Sequence, residues 1–343
     1  MRSTILLAVL TASLSHPCSA QESDTHINLG MRIQLRNTVL ISHENQVENQ
    51  FQIRRARINL NGSILDVNNQ FKIQVGLSPS DLGLVGGVPT ISPLMDYYLN
   101  FTHLRDMSLM IGQYKIPFSR ERILSSGSTF LIDRSILSGN LDISRDVGAT
   151  LHSQNFLGLN MMRYYLGIYT GLGRDGYVTR DIVLINPLMI IRIEAHPLGI
   201  VNSYDQVDMS LRRNPRIVIG TAYAYISDTH RLTLDMSVHC DGFSLEAATI
   251  LRWQERIEEI DVGYYAQIGL LIPSISELGI AIRFSHITQF QAMGVQNEFE
   301  IATGINYFFE EHNLKLQVDW VEQWRREIEV GDHQIRLQLQ VIM

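Results

Sequence analysis

The chain has 343 residues, of which 45% are hydrophobic, 18% charged and 8% aromatic, and it carries a formal net charge of −7. It is too apolar for a disordered tail, and the acidic balance excludes a general nucleic-acid binder, which needs a basic surplus to neutralise phosphates. Beyond the N-terminus no window approaches the roughly 18 consecutive apolar residues of a transmembrane helix, whereas a transmembrane β-barrel, with its apolar residues at every second position, stays open.

Residues 1–20 read as an export signal, which leaves 21–343 as the mature domain. Arg2 supplies the positive start, Ile5 to Leu14 the short apolar core, and Cys18-Ser19-Ala20 the small residues before a cleavage at Gln21. That leaves Cys240 alone in the mature chain, so backbone pairing and burial must supply the stability that a disulfide framework would otherwise give.

From Ile27 the chain alternates. Ile27, Leu29, Met31, Ile33 and Leu35 fall on one parity, with Asn28, Gly30, Arg32, Gln34 and Arg36 on the other, the pattern of a two-sided strand. The same pattern returns through the chain to Ile335, Leu337, Leu339, Val341 and Met343, giving sixteen candidate strands. They lie at 25–39, 49–62, 70–77, 94–102, 107–114, 146–153, 159–169, 188–196, 215–226, 230–239, 242–252, 260–271, 277–287, 297–308, 313–321 and 333–343. Most have about the 9–11 residues that a tilted strand needs to cross a bilayer. A soluble sandwich also alternates, but it needs about half as many strands, and here the last segment can close on the first and remove both edges. The expected fold is an all-β transmembrane antiparallel barrel of about sixteen strands.

If the apolar parity faces lipid, the other lines the lumen, which places Arg32, Arg36, Lys72, Arg163, Arg192, Arg231, Arg283, Lys315 and Arg336 on the inner wall. In the second strand Phe51 and Ile53 face lipid on odd numbers, but Ala56, Ile58 and Leu60 do so on even numbers. A β-bulge at Arg54-Arg55 absorbs that slip and aims Arg54, Arg55 and Arg57 inward as a local anion site. Carboxylates such as Asp96, Glu194, Asp235, Glu246, Glu300 and Asp319 share the inner parity, so cross-strand pairing competes with anion binding for these arginines.

These residues bring a family into view. Phe51-Gln52-Ile53-Arg54-Arg55-Ala56-Arg57-Ile58, Asp96-Tyr97-Tyr98 and Gly112-Gln113-Tyr114-Lys115-Ile116-Pro117-Phe118-Ser119 resemble the phosphate-selective porin O and P family. So do Asp133-Arg134-Ser135, Arg145-Asp146-Val147-Gly148, Leu166 to Gly171, Arg192 with Pro197, Gly263 to Gln267 and Gly304 to Phe308. The resemblance implies an outer-membrane homotrimer of sixteen-stranded barrels, embedded in lipid, that passes phosphate, polyphosphate or related small anions. Carried over by motif, Arg54 and Arg55 belong to the anion path with Asp96 as acidic partner, and Arg192 fits the same template; Arg57 joins them at the bulge, and Arg32 and Arg36 from the inner parity.

The longest connection runs from about Lys115 to Arg145, after the fifth strand. If the first strand rises from the periplasm, this is the third external loop, which in sixteen-stranded porins commonly folds into the lumen. Residues 116–144 bring Arg120, Arg122 and Arg134 to the constriction but no lysine, and the chain ends in Met343 rather than an aromatic residue. Both features depart from the family's pattern and bear on phosphate as the particular solute.

The alternatives are a non-specific general diffusion porin and a structural or adhesin barrel with a plugged lumen. A catalytic barrel is disfavoured, because the adjacent Ser285 and His286 fall on opposite faces of one strand and the eleven histidines form no metal-ligand spacing. The expected activity is passive diffusion of small anions, with no cofactor, no metal and no nucleic-acid partner.

Overall fold

The structure, a computed structural model, describes residues 25–42, 44, 46–85, 88–174, 186–255, 259–272, 274–291, 294–325 and 331–343. The expected export signal lies outside these residues.

Sixteen antiparallel strands close into one barrel, each paired with its neighbours in sequence. They are β1 His26–Ile41, β2 Val47–Ile64, β3 Asp66–Gly76, β4 Leu94–Phe101, β5 Ser108–Lys115, β6 Arg145–His152, β7 Met162–Tyr169 and β8 Leu188–Ala195. The second half comprises β9 Arg216–Ile226, β10 Thr229–Cys240, β11 Phe243–Gln254, β12 Ile260–Ile272, β13 Ile275–Gln291, β14 Gly294–Glu310, β15 Leu314–Arg325 and β16 Asp332–Ile342. β16 pairs with β1 from Arg32↔Ile342 to Ile41↔His333, so the sheet has no free edge.

The parity assignment holds. Along β10, Leu232 and Leu234 are exposed while Thr233 and Asp235 are buried, and along β13 Ile282 is 52% exposed beside Arg283 at 1%. Such rows of outward apolar side chains are the surface that a bilayer covers. In β1 and β2 the register steps from Gln34↔Arg55 to Leu35↔Ile53, leaving Arg54 as the extra residue at the position where the hydrophobic phase slips.

Two connections occupy the lumen. Residues 116–144, between β5 and β6, carry helical turns Arg120–Ile123 and Ile136–Asn140. Residues 196–215, between β8 and β9, enter from the opposite rim, and the two meet where Gln206 N donates to the Ser128 carbonyl at 3.1 Å and Phe130 N donates to the Gln206 side chain at 3.0 Å. The filling is apolar on one side. Ile116, Phe118, Leu137 and Leu141 pack against inward-facing Ile190, Ala222, Ile250 and Ile287, while Phe130 and Leu131 pack with Val207, Ala302 and Phe308. Phe130 reaches the wall because Gly269 and Gly279 leave room, since a Cβ on either would lie 2.5 or 2.9 Å from its ring. The lumen is therefore not a uniformly wet wall. Its β8 to β15 side is covered, and open space remains beside β1 to β6.

Candidate functional site

Polar wall residues on the covered side are occupied by the inserted loop. A segment inside a barrel must satisfy its backbone there, and the wall provides the partners. Lys315 donates to the Thr129 carbonyl at 2.9 Å, Gln317 to that of Phe130 at 3.0 Å, and Arg283 to that of Asp133 at 2.9 Å. Asp319 accepts from Ile132 N at 3.1 Å and Asp235 accepts from Arg120 N at 3.1 Å.

Arg192, carried over to the anion path by motif, belongs to this set. It is fully buried, donates to Asp235 at 2.8 Å and to Glu194 at 3.0 Å, and gives a further hydrogen bond to the Phe118 carbonyl at 2.8 Å. Those bonds make it a clamp on the loop. Arg120 is likewise engaged, 3.5 Å from Glu246 and with its guanidinium 5.0 Å from the centre of the Tyr204 ring.

The other basic residues converge on the open side. A cavity of about 450 Å³ between β2 and the loop is lined by Arg54, Arg55, Arg57, Lys115, Arg122, Arg134 and Arg145, with Asp81 and Asp133 its carboxylates. A second, of about 230 Å³, shares Arg57, Lys115, Ser126 and Arg145 with the first and adds Arg32, Lys72 and Asp96. Together they present nine cations against three carboxylates.

Two further cavities extend the series. One, at the β1–β2 end, is lined by Arg36, Arg336, Glu48 and amide side chains and meets the larger cationic cavity at Asp133. Another, at the opposite rim, meets the smaller one at Met110 and Ile123. Shared lining residues thus join the four in sequence from one rim to the other.

Asp133, at the loop tip, organises the cations around it. Its carboxylate lies 2.6 Å from Arg36, 3.2 Å from Arg336, 3.5 Å from Arg55 and 3.9 Å from Arg54. Burial alone would raise its pKa, but Arg36, Arg336 and Arg55 outweigh that and hold it well below the usual carboxylate range. Asp81, in the short turn Pro79–Leu82, takes Arg57 at 2.6 Å. Asp96 takes Arg145 at 2.6 Å and Lys72 at 3.1 Å, and not Arg54 or Arg55, beside which it was expected.

Among the described residues, Arg122 and Arg134 have only carbonyl acceptors for their guanidinium groups: Arg134 donates to the Glu121 and Leu124 carbonyls and Arg122 to that of Ser138. Burial, then the neighbouring Arg122, pull Arg134 down to about 10, still charged at neutral pH. An anion entering this cavity meets guanidinium groups already fixed in direction, the arrangement that favours charge-assisted, bidentate contacts.

Of the residues singled out in the sequence, Arg32, Arg54, Arg55, Arg57, Asp96, Arg122 and Arg134 line the two cationic cavities, Arg36 lies at the adjoining mouth, and Arg120 and Arg192 hold the loop. Sequence reasoning passed over Lys115 and Arg145, which flank the loop, and gave no role to Asp81 or Asp133. Lys115, Asp133 and Arg145 all stand in the motifs that carried the resemblance.

The fold matches solved porins. OmpF of Salmonella typhi, solved with daunomycin, superposes with a TM-score of 0.66 at 12% identity over 94% of this chain and 99% of its own. An anion-selective porin from Comamonas acidovorans gives 0.61 at 8% identity over 93% and 100%. The trimer form of OmpT from Vibrio cholerae gives 0.60 at 6% over 93% and 99%. An uncharacterized protein of Aquifex aeolicus (strain VF5) is 23% identical over 289 residues, 73% of this chain and 68% of its own length. The chain is thus an outer-membrane β-barrel of porin fold, and residues 27–171, which contain every cation of the two central cavities, match the model of the phosphate-selective porin O and P family.

Proposed function

We propose that the barrel is a passive channel for small anions of the phosphate type, which move along the β1 to β6 side past Arg57, Lys115 and Arg145. The observation that carries this reading is the run of nine cations against three carboxylates in the linked central cavities. Local rings of charge, rather than the total, set selectivity, so a chain of net charge −7 can still favour anions. The anion selectivity named for the Comamonas acidovorans barrel agrees with this. The loop after β5 is then the third external loop, with the β1–β2 turn on the same face and residues 1–20 directing export.

A homotrimer is part of the proposal. β4 to β8 have eight residues each, shorter than the roughly 9–11 that span a bilayer, whereas β13 and β14 have seventeen each. A short-walled arc is better covered by neighbouring copies than by lipid.

The test is single-channel recording in a planar bilayer under a potassium chloride gradient, followed by titration with phosphate, pyrophosphate and sulfate. The expected result is an anion-selective reversal potential that moves toward cations in the double variant Arg54→Glu, Arg55→Glu. A cation-selective potential that this variant leaves unchanged would refute the arginine path, and the lack of any conductance in folded protein would refute the channel. Conductance that no tested anion blocks would favour general diffusion.

A further inference from the structure

The two ends of the cavity series differ in chemistry. At the β1–β2 end the lining includes Arg36, Arg336, Glu48 and Asp133. At the other end a cavity of about 550 Å³ has no carboxylate in its lining and a single cation, Arg163, whose guanidinium is spent on the Gln154 and Val201 carbonyls and the Asn202 side chain. What this cavity offers is neutral. The side-chain amides of Gln154 and Asn160 line it and make no hydrogen bond among the described residues.

Aromatic groups supply the rest. His152 and Tyr165 stack at 5.9 Å with planes 15° apart, and the Tyr165 and Tyr204 hydroxyls lie 3.1 Å from each other. Free amides beside the apolar side chains of Met110, Ile123 and Ile200 suit a hydroxylated body, whose hydroxyls need donors and acceptors and whose C–H faces need apolar surface. Inorganic phosphate, compact and fully charged, has no use for such a lining. The cavity meets the smaller cationic one across Met110 and Ile123, and a solute seated here with its acidic end toward that neck would direct it at the cavity lined by Arg32, Lys115 and Arg145.

From this juxtaposition we propose that the neutral vestibule is a subsite for the hydroxylated body of an organic anion, a sugar phosphate being the simplest case, whose phosphate lies across the Met110–Ile123 neck in the cationic cavity. This rests on the anion channel proposed above and specifies which anions it favours. The subsite discriminates by neutral hydrogen bonds, the cationic cavity by charge. The two contributions are separable.

The experiment compares block of chloride conductance by glucose 6-phosphate, inorganic phosphate, glucose and benzoate, in the unaltered protein and in the double variant Gln154→Ala, Asn160→Gly. Glycine is chosen at 160 because Asn160 has φ 54°, a left-handed conformation that glycine adopts without strain. Glucose 6-phosphate is expected to block at a concentration about tenfold below that of phosphate, the effect of one or two net neutral hydrogen bonds. The double variant should bring the two together by weakening glucose 6-phosphate alone.

Anion selectivity with glucose 6-phosphate no stronger than phosphate, or a variant that weakens both equally, overturns the subsite alone. Tighter block by benzoate than by glucose 6-phosphate overturns the hydroxylated body. A cation-selective reversal potential in the same recordings overturns the anion channel beneath the proposal.

Discussion

Asp133 is a tethered anion inside a cluster of cations, so neutralising it tests whether the cluster was built to receive an anion or only to hold the loop. In Asp133→Asn the side chain keeps its shape and one acceptor oxygen but loses the charge that faces Arg36, Arg336, Arg55 and Arg54 at 2.6 to 3.9 Å. Removing one partner of a buried pair costs about 3–5 kcal/mol in the fully buried limit. Two features reduce this. The Asp133 side chain keeps 26% of its exposure, and Arg336 retains Asp319 at 2.7 Å, so a loss of about 2 kcal/mol is the better figure once solvent screening is allowed for.

The loop stays anchored through backbone contacts that the substitution leaves alone, among them Arg283 on the Asp133 carbonyl and Asp319 on Ile132 N. For a solute at about 8 Å and an effective dielectric of about 40, losing one negative charge is worth about 1 kcal/mol, which is roughly a fivefold change in affinity. Phosphate should therefore block the variant at about one fifth of its original concentration while the barrel unfolds at slightly lower urea. Recording phosphate block in planar bilayers, with urea unfolding followed by circular dichroism on the same preparation, measures both. Unchanged or weaker block in a folded variant refutes the reasoning, because then the four arginines serve Asp133 and nothing that passes it.

Further outcomes follow from the same geometry. Ile282→Arg places a charge on the lipid face and should destabilise the barrel by about 2–4 kcal/mol near the bilayer midplane, whereas Ile282→Leu should be nearly silent; equal unfolding midpoints would contradict the parity assignment. Phe130→Ala removes the ring seated over Gly269 and Gly279 and should cost about 3–5 kcal/mol of loop packing, raising conductance as the loop loosens; unaltered conductance would mean that the loop does not set the constriction. Gly279→Leu attacks the same contact from the wall and should also displace the loop, read as altered conductance with barrel formation intact. Acid sensitivity also has a definite sign. Burial pushes Asp133 up, but Arg36, Arg336 and Arg55 hold it well below its ordinary value, so its contribution is complete above about pH 4, where the unfolded carboxylate ionises, and is lost only as pH falls through the lower folded value. Reversal potential should then carry no step due to Asp133 between pH 8 and 4; a step there that Asp133→Asn abolishes would contradict the cluster geometry.

The barrel was legible because lipid on one side and lumen on the other impose a two-residue period that survives in the sequence. The segment expected at 188–196 is β8 Leu188–Ala195, and the slip of phase between Ile53 and Ala56 locates the bulge at Arg54. Ends were less legible where the constraint stops. β13 and β14, expected at 277–287 and 297–308, run to Ile275–Gln291 and Gly294–Glu310, because polar tips such as Gln289 and Gln296 continue the ladder after the hydrophobic alternation has ended. β7 starts at Met162 rather than 159, after a turn at Phe156–Gly158 and the left-handed Asn160. What alternation could not say is which basic residues are free, since their partners are far away in the chain: Arg36 with Asp133, Lys315 with the Thr129 carbonyl.

One signal for that division was present in the strands that do not alternate. Leu188-Met189-Ile190-Ile191 is apolar on both parities, and inward-facing Ala222, Ala224, Ile250 and Ile287 repeat the feature through the strands that follow. A lumen-facing isoleucine left in water gains nothing from folding, while covering it with a loop stabilises both by roughly 25 cal/mol for each Å² of apolar surface removed. The apolar inner arc therefore draws the inserted loop, with Ile116, Phe118, Leu137 and Leu141, toward β8 to β13 and away from β1 to β6. The loop's backbone then takes up the hydrogen bonds of Arg192, Arg283 and Lys315, because a carbonyl buried without a donor is costly, and the charge of the two buried arginines is offset by Asp235, Glu194 and Glu300. The arginines opposite take carboxylates instead, Arg55 that of Asp133, Arg57 that of Asp81 and Arg145 that of Asp96, and they line the two central cavities. On this reasoning the anion path is placed by the hydrophobic half of the lumen as much as by the arginines that line it, and filling the inner face of β2 or β3 with isoleucine should draw the loop across and close it.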